Sequence, residues 1–208
     1  MQPLVMVLGG LAEAVGWRLV ATGRAVVWRL MPKILLAMGV VAALARRPVA
    51  ATEVGDGAAI AVGVASGLAL YAATRVFVAL ASRWEPFRRQ VVDKYEEAAE
   101  VSLARSLGLS LLIMVPGEEL FWRGLVQARL GQALAGAAAG VWTWLAYLGV
   151  NSASASLPIV AGAIVGGALW AGLAVWSGGM LASLASHMLW TGLMLAFPPG
   201  TGRGVRVS

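Results

Sequence analysis

Hydrophobic positions run along this chain in long stretches, and its charged positions fall in short clusters between them. That pattern predicts membrane-crossing helices of about 20 apolar residues joined by polar turns. Residues 1–33 carry Glu13, Arg18, Arg24, Arg29 and Lys33 among apolar neighbours, with Arg18, Arg29 and Lys33 near one helical face. An amphipathic helix lying in the membrane interface is expected there. A short first span follows over Ile34–Ala45, ended by Arg46 and Arg47, and a second over Ala58–Ala81, interrupted by Arg75. Arg83 to Glu100 (RWEPFRRQVVDKYEEAAE) is too charged for hydrocarbon and reads as a solvated or interfacial helix. Four more spans are expected over Val101–Val126, Leu134–Val150, Ile159–Trp176 and Met180–Phe197, with the turn-forming NSASASLP, SGG and PPGTG after the last three.

The expected fold is therefore all-α and polytopic, with about six transmembrane helices (range roughly 5–8). Its parts are an amphipathic segment 1–33, two membrane helices within 34–81, a charged segment 82–100, a four-helix membrane core 101–198 and a basic tail 199–208.

Composition supports this architecture. Hydrophobic residues make up 60% of the chain and charged residues 12%, against roughly 25% charged in a soluble domain. Mean hydropathy is +0.80. The 208 residues leave no room for a separate soluble domain beside the spans. Cysteine is absent, which excludes disulfides, thiolate-held clusters and cysteine nucleophiles.

The formal charge of +6 suggests membrane topology and no nucleic-acid partner. Eleven of the 16 lysines and arginines fall in the N-terminal segment, the stretch from Arg83 to Arg105 and the C-terminal tail. The positive-inside rule then places both termini in the cytoplasm, with the chain integral to the cell inner membrane. The start MQPLVMVLGG lacks the basic opening of a secretory signal, so no cleaved targeting segment is expected. Abundant glycine and alanine in the last three spans fit closely approaching membrane helices. Trp122, Trp142, Trp144, Trp170, Trp176 and Trp190 lie mostly toward span ends, where an interfacial aromatic belt is expected.

The ionisable side chains inside expected spans are Arg75, Arg105 at an edge, Glu118, Glu119, Arg123 and His187. A charge at the centre of a membrane helix costs about 2.5 to 3.5 kcal/mol, and GEELFWRG (117–124) places three within six residues. Glu119 and Arg123 can pair at i, i+4, but an exposed pair returns only about 0.3 to 0.5 kcal/mol. The segment could simply end a span with its charges among headgroups. Glu118, however, is about 100° around the helix from Glu119, so it is left free to face a cavity and act as a general base. The single histidine, His187, lies in the last span, and an ionisable residue inside a membrane points to function.

Glu118, Glu119 and Arg123 match the EExxxR motif of the CPBP group, and the chain resembles that family of intramembrane glutamate proteases. These are the CAAX prenyl-protease and bacteriocin-processing enzymes, also called Abi. The Leu120-Phe121-Trp122 filling and Gly124 are similar too, and the resemblance covers about Leu103 to Phe197. The family carries a second motif, FxxxH, for which Tyr147 to Asn151 is the candidate, with asparagine in place of histidine. Its third, HxxxN, corresponds to His187 through Thr191, with threonine in place of asparagine. Span limits read from hydropathy set Asn151 and Glu118 toward opposite faces of the membrane, so those limits must shift if the two share a site.

The resemblance implies an endopeptidase in which Glu118 activates water, Asn151 and His187 donate to the oxyanion, and Glu119 and Arg123 support the helix, with Tyr147 and Thr191 beside them. It implies no cofactor. A catalytic zinc needs three ligands, and one histidine with the Glu118/Glu119 pair makes a metal-free site the expectation. The implied partners are the lipid bilayer and a membrane-embedded or lipid-anchored peptide or protein substrate. A catalytically inactive relative, acting as a membrane scaffold or immunity factor, is the alternative that Asn151 and Thr191 suggest. A proton-coupled carrier would need paired charges in both halves, and the first half offers only Arg75.

Overall fold

The structure is a computed structural model, and it describes residues 2–45 and 53–199. Among the described residues it consists of eight helices: α1 (Gln2–Ala21), α2 (Val27–Ala45), α3 (Asp56–Ala81), α4 (Glu85–Ala99), α5 (Leu103–Leu130), α6 (Gly136–Ser152), α7 (Leu157–Ser177) and α8 (Leu181–Ala196). Four of them, α1, α2, α3 and α7, are each long and apolar enough to cross a membrane, and α8 is apolar but shorter. Helices α4 and α5 meet at a bend of 97° and together make a fifth candidate crossing. The all-α polytopic membrane fold stands.

The N-terminal region differs from the sequence reading. In place of one interfacial helix over 1–33 and a short span from Ile34, two helices of 20 and 19 residues are joined by a turn in which Gly23 adopts φ 68. The charges that suggested an amphipathic surface helix are distributed differently in space. Arg24 sits in the turn, Arg18, Arg29 and Lys33 are exposed, and Glu13 is turned inward. The outer face of α1 is apolar, with Leu4, Val7, Leu8, Leu11 and Val15 exposed. Arg46, Arg47 and nearly all of the basic tail, with Arg203 and Arg206, lie outside the described residues.

The charged segment after α3 folds as α4, laid against the bundle by Phe87 and Val91, which bury against Val78. Its polar face carries the Glu85–Arg88 and Glu85–Arg89 ion pairs. The bend that follows is closed by Ser102, whose side chain accepts the Arg105 backbone N–H at the start of α5.

Helix α5 is the element that places the chemistry. It widens to π-helical geometry over Ser110–Met114 and again over Leu120–Gln127, flanking the α-helical turn Val115–Glu119. Pro116 lies at the first junction; it has no N–H for the regular ladder, and interruptions of this kind recur at functional sites. Backbone approach is closest at Gly117. A Cβ on Gly39 of α2 would come within 2.6 Å of the Gly117 Cα, and one on Gly117 would collide with the Leu35 carbonyl. Packing without side chains here locks the turn before Glu118 directly onto α2, as small residues do between membrane helices. The core around it joins Met31, Leu35 and Met38 of α2 to Phe121 and Leu125 of α5 and Trp170 of α7.

Candidate active site

Glu118 and Glu119 leave α5 in different directions, as their angular separation requires, and both are buried. Glu119 is the fully satisfied one. Its Oε2 accepts the Ser183 hydroxyl at 2.7 Å, and its Oε1 lies 2.9 Å from His187 Nδ1. Arg123 Nη1 stands 3.2 Å from the same Oε1, an ion pair whose line is too oblique to count as a hydrogen bond. A carboxylate only accepts, so His187 presents Nδ1–H to Glu119 and turns Nε2 the other way. That nitrogen is 4.0 Å from Glu118 Oε2.

Arg123 is held by more than Glu119. Its guanidinium lies 5.0 Å from the Tyr147 ring centroid and 5.7 Å from that of Trp170, and Nη2 donates to the Gly167 carbonyl at 3.4 Å. Buried cation–π contacts of this kind are worth about 2 kcal/mol when desolvated. Gly167 is required there, because a Cβ would come within 2.8 Å of the Tyr147 ring. Trp170 also stacks flat on the His187 imidazole, centroids 3.6 Å apart at 17°.

Glu118, His187, Asn151, Tyr147 and Thr191 line one cavity of about 610 Å³. Its remaining wall, from α1 to α4, α7 and α8, is largely apolar, including Trp17, Leu70, Phe77 and Phe87, with Lys94 and Glu97 at the α4 side. The sequence expectation that set Asn151 and Glu118 at opposite faces is therefore corrected. Helix α5 continues to Leu130, and α6 begins only at Gly136. At 1.5 Å per residue, Glu118 lies ~18 Å from the hairpin end of α5 and Asn151 ~22 Å from that of α6, nearly the same depth. Asn151 Nδ2 donates one hydrogen to the Tyr147 carbonyl at 3.0 Å, leaving its second N–H for another acceptor.

The residues that the resemblance pointed to thus gather at one place, Glu118, His187, Asn151, Tyr147 and Thr191 on the cavity and Glu119 and Arg123 behind it, whereas Arg75 lies against Tyr71 and Arg105 is exposed. The tryptophan expectation holds only in part. Trp142 and Trp176 are exposed on the outer surface, but Trp122 and Trp170 are buried core residues. Both stand inside longer helices than the sequence suggested, Trp122 against Phe121 and Tyr147 and Trp170 against Arg123 and His187. Three contributors were not read from the sequence. Ser183 stands four residues before His187, a same-face spacing that could have found it. Trp170 carries no local signal. Glu13 is the single acidic residue in the first 52 positions, and it is buried against the site with Oε2 accepting the Trp122 indole N–H at 3.0 Å. Among the described residues, no three His, Asp or Glu side chains converge in a way that could hold a metal ion.

Residues 101–193 match the family described as type II CAAX prenyl endopeptidase Rce1-like. The match takes in α5 through most of α8 and leaves α1 to α4 outside it. No curated protein and no solved structure matches the chain.

Proposed function

We propose, taking as premise that residues 101–193 belong to the Rce1-like family of type II CAAX prenyl endopeptidases, that this chain is a metal-independent intramembrane endopeptidase using Glu118 as general base. The observation that carries the reading is the convergence of Glu118, His187 and Asn151 on one cavity whose other walls are apolar. Such a chamber suits a peptide bond presented by a membrane-embedded or lipid-anchored substrate, with the apolar wall accepting the lipid or hydrophobic side chains.

The steps follow from positions. Water held between Glu118 and His187 Nε2 loses a proton to the Glu118 carboxylate as its oxygen adds to the scissile carbonyl carbon. The carbonyl π electrons move to oxygen, and the oxyanion receives hydrogen bonds from the free Asn151 N–H and from the His187 imidazole. Collapse breaks the C–N bond, the leaving nitrogen takes the proton from Glu118, and the carboxylate is restored. Glu119 and Ser183 hold the imidazole from behind, while Arg123 neutralises Glu119. In the membrane we place the α1–α2 turn with Arg24, the charged face of α4 and the end of α8 on the cytoplasmic side of the cell inner membrane, following the basic residues. Because α1, α2 and α3 make three crossings, the start of α1 then lies on the opposite side, in place of the expectation that both termini are cytoplasmic.

One observation favours the catalytically silent scaffold: the Asn151 amide is already engaged by the Tyr147 carbonyl. The two readings separate in cells. Terminal-peptide profiling of membranes carrying wild-type protein or Glu118→Gln, at equal protein level, is expected to reveal a membrane peptide left uncut only in the variant. Identical profiles from a folded Glu118→Gln protein would establish the scaffold.

A further inference from the structure

A second pocket, of about 380 Å³, lies at the end of the bundle opposite α4. Helix α5 starts at the bend with α4, and α7 starts where the Gln90 side chain of α4 accepts the Leu157 N–H, so both helices run away from α4 toward this pocket. It opens among three connections, at Glu53 before α3, at Gly131 and Gly136 between α5 and α6, and at Gly178 and Gly179 between α7 and α8. Its lining shares no residue with the Glu118 cavity. Arg123 stands between the two. Its guanidinium faces the Tyr147 and Trp170 rings, which line the Glu118 cavity, while Arg123 itself lines the second pocket.

The inner end of this pocket is polar. Arg123 and Gln127 stand four residues apart, one turn of α5, and both line it. Gln127 is 6% exposed, and its Nε2 donates to the Ala171 carbonyl at 2.9 Å, which leaves Oε1 a free acceptor. Arg123 is 3% exposed. With Nη1 toward Glu119 and Nη2 on the Gly167 carbonyl, its Nε–H has no hydrogen-bond partner among the described residues. Buried donors and acceptors in folded proteins are paired, with protein groups or with ordered water. Ala128, Ala139 and Ala174 on the walls have no side-chain group to offer either atom. Glu53 is exposed at the mouth, where a Cβ on Gly178 would come within 3.2 Å of its Cγ. An anion entering the pocket would meet Glu53, and a cation would meet Arg123. A neutral molecule that both donates and accepts suits the whole set, and water does so in a space of this size.

We propose that this pocket is a hydrated vestibule, holding water between the Gln127 carbonyl and the Arg123 Nε–H and bringing the aqueous phase opposite α4 to the back of the Glu119–Arg123 pair. By helix rise, Arg123 lies ~10 Å inside the end of α5. The vestibule thus carries water past the headgroups to a depth that the lipid-facing surface does not offer. It hydrates Arg123 whether or not Glu118 acts as a base.

The chain has no cysteine, so single-cysteine variants each report one position. Ala139 is buried on the pocket wall of α6, and Val141, two residues on, is exposed on the outer surface of the same helix. Ala139→Cys and Val141→Cys, as full-length proteins in lipid nanodiscs open to reagent at both faces, are treated with anionic sulfonatoethyl methanethiosulfonate and with its uncharged methyl analogue. The ratio of anionic to uncharged rates is expected to be at least about tenfold higher for Ala139→Cys, because both the thiolate and the charged reagent need water. Adding Gln127→Leu to Ala139→Cys is expected to slow the anionic reagent at least about threefold, as the pocket loses a polar partner for water. Ala174→Cys, on the α7 wall, supplies the same readings should Ala139→Cys fail to fold. Equal ratios at pocket and outer positions, or an anionic rate indifferent to Gln127→Leu, would overturn the vestibule.

Discussion

Glu119–Arg123 on α5 and Glu85–Arg89 on α4 are ion pairs of identical spacing, four residues apart on a helix, at 3.2 and 2.8 Å. The shorter one is the less consequential. Arg89 is exposed and the Glu85 side chain is partly exposed, so both charges are hydrated without each other, and salt screens what attraction remains. Glu119 and Arg123 are sealed from solvent, so each is the other's main compensation for lost hydration. The contrast teaches that spacing sets which residues can meet, while surroundings set what the meeting is worth and what chemistry it supports.

The contrast can be broken in graded steps. The largest effect is expected at Glu118, beside the buried pair: Glu118→Gln lowers cleavage by at least about 10²-fold with the fold retained, read as turnover and thermal midpoint. Next, Arg123→Ala leaves Glu119 buried and unpaired, and a loss of about 3 to 5 kcal/mol is expected in unfolding measurements in detergent. Ser183→Ala removes one hydrogen bond to the same carboxylate and costs about 1.5 to 3 kcal/mol, with a matching loss of activity as His187 loosens. At the small end, Arg89→Ala is expected to leave the thermal midpoint and activity unchanged. Arg89 and Arg88 hold the Glu85 carboxyl below its ordinary value of 4.5. Any stability this supplies is therefore present above that value and lost as pH falls below it. A clear Arg89→Ala effect at neutral pH would erase the contrast.

Much of the fold and the site was legible because their signals are local. Apolar run length announces membrane helices, and three charges within six residues at 118–123 demand an internal purpose. His187 stands out as the single histidine. Depth was less legible, because it depends on where a hairpin turns: extending α5 to Leu130 and starting α6 at Gly136 moved Asn151 level with Glu118. The role of α1 was concealed by averaging, since Arg18, Arg29 and Lys33 look like one amphipathic face until the turn at Gly23 separates Arg18 from the other two. Trp170 could not be found locally, because its meaning comes from His187 and Arg123 on two other helices.

Hydrolysis by Glu118 without a metal is what we propose for this site. Purified protein in nanodiscs, given a fluorogenic prenylated peptide with and without a strong chelator, tests it directly. Wild-type protein is predicted to turn over at the same rate in both conditions, with Glu118→Gln at background in each. Loss of wild-type activity on chelation, or wild-type turnover by Glu118→Gln, would contradict it.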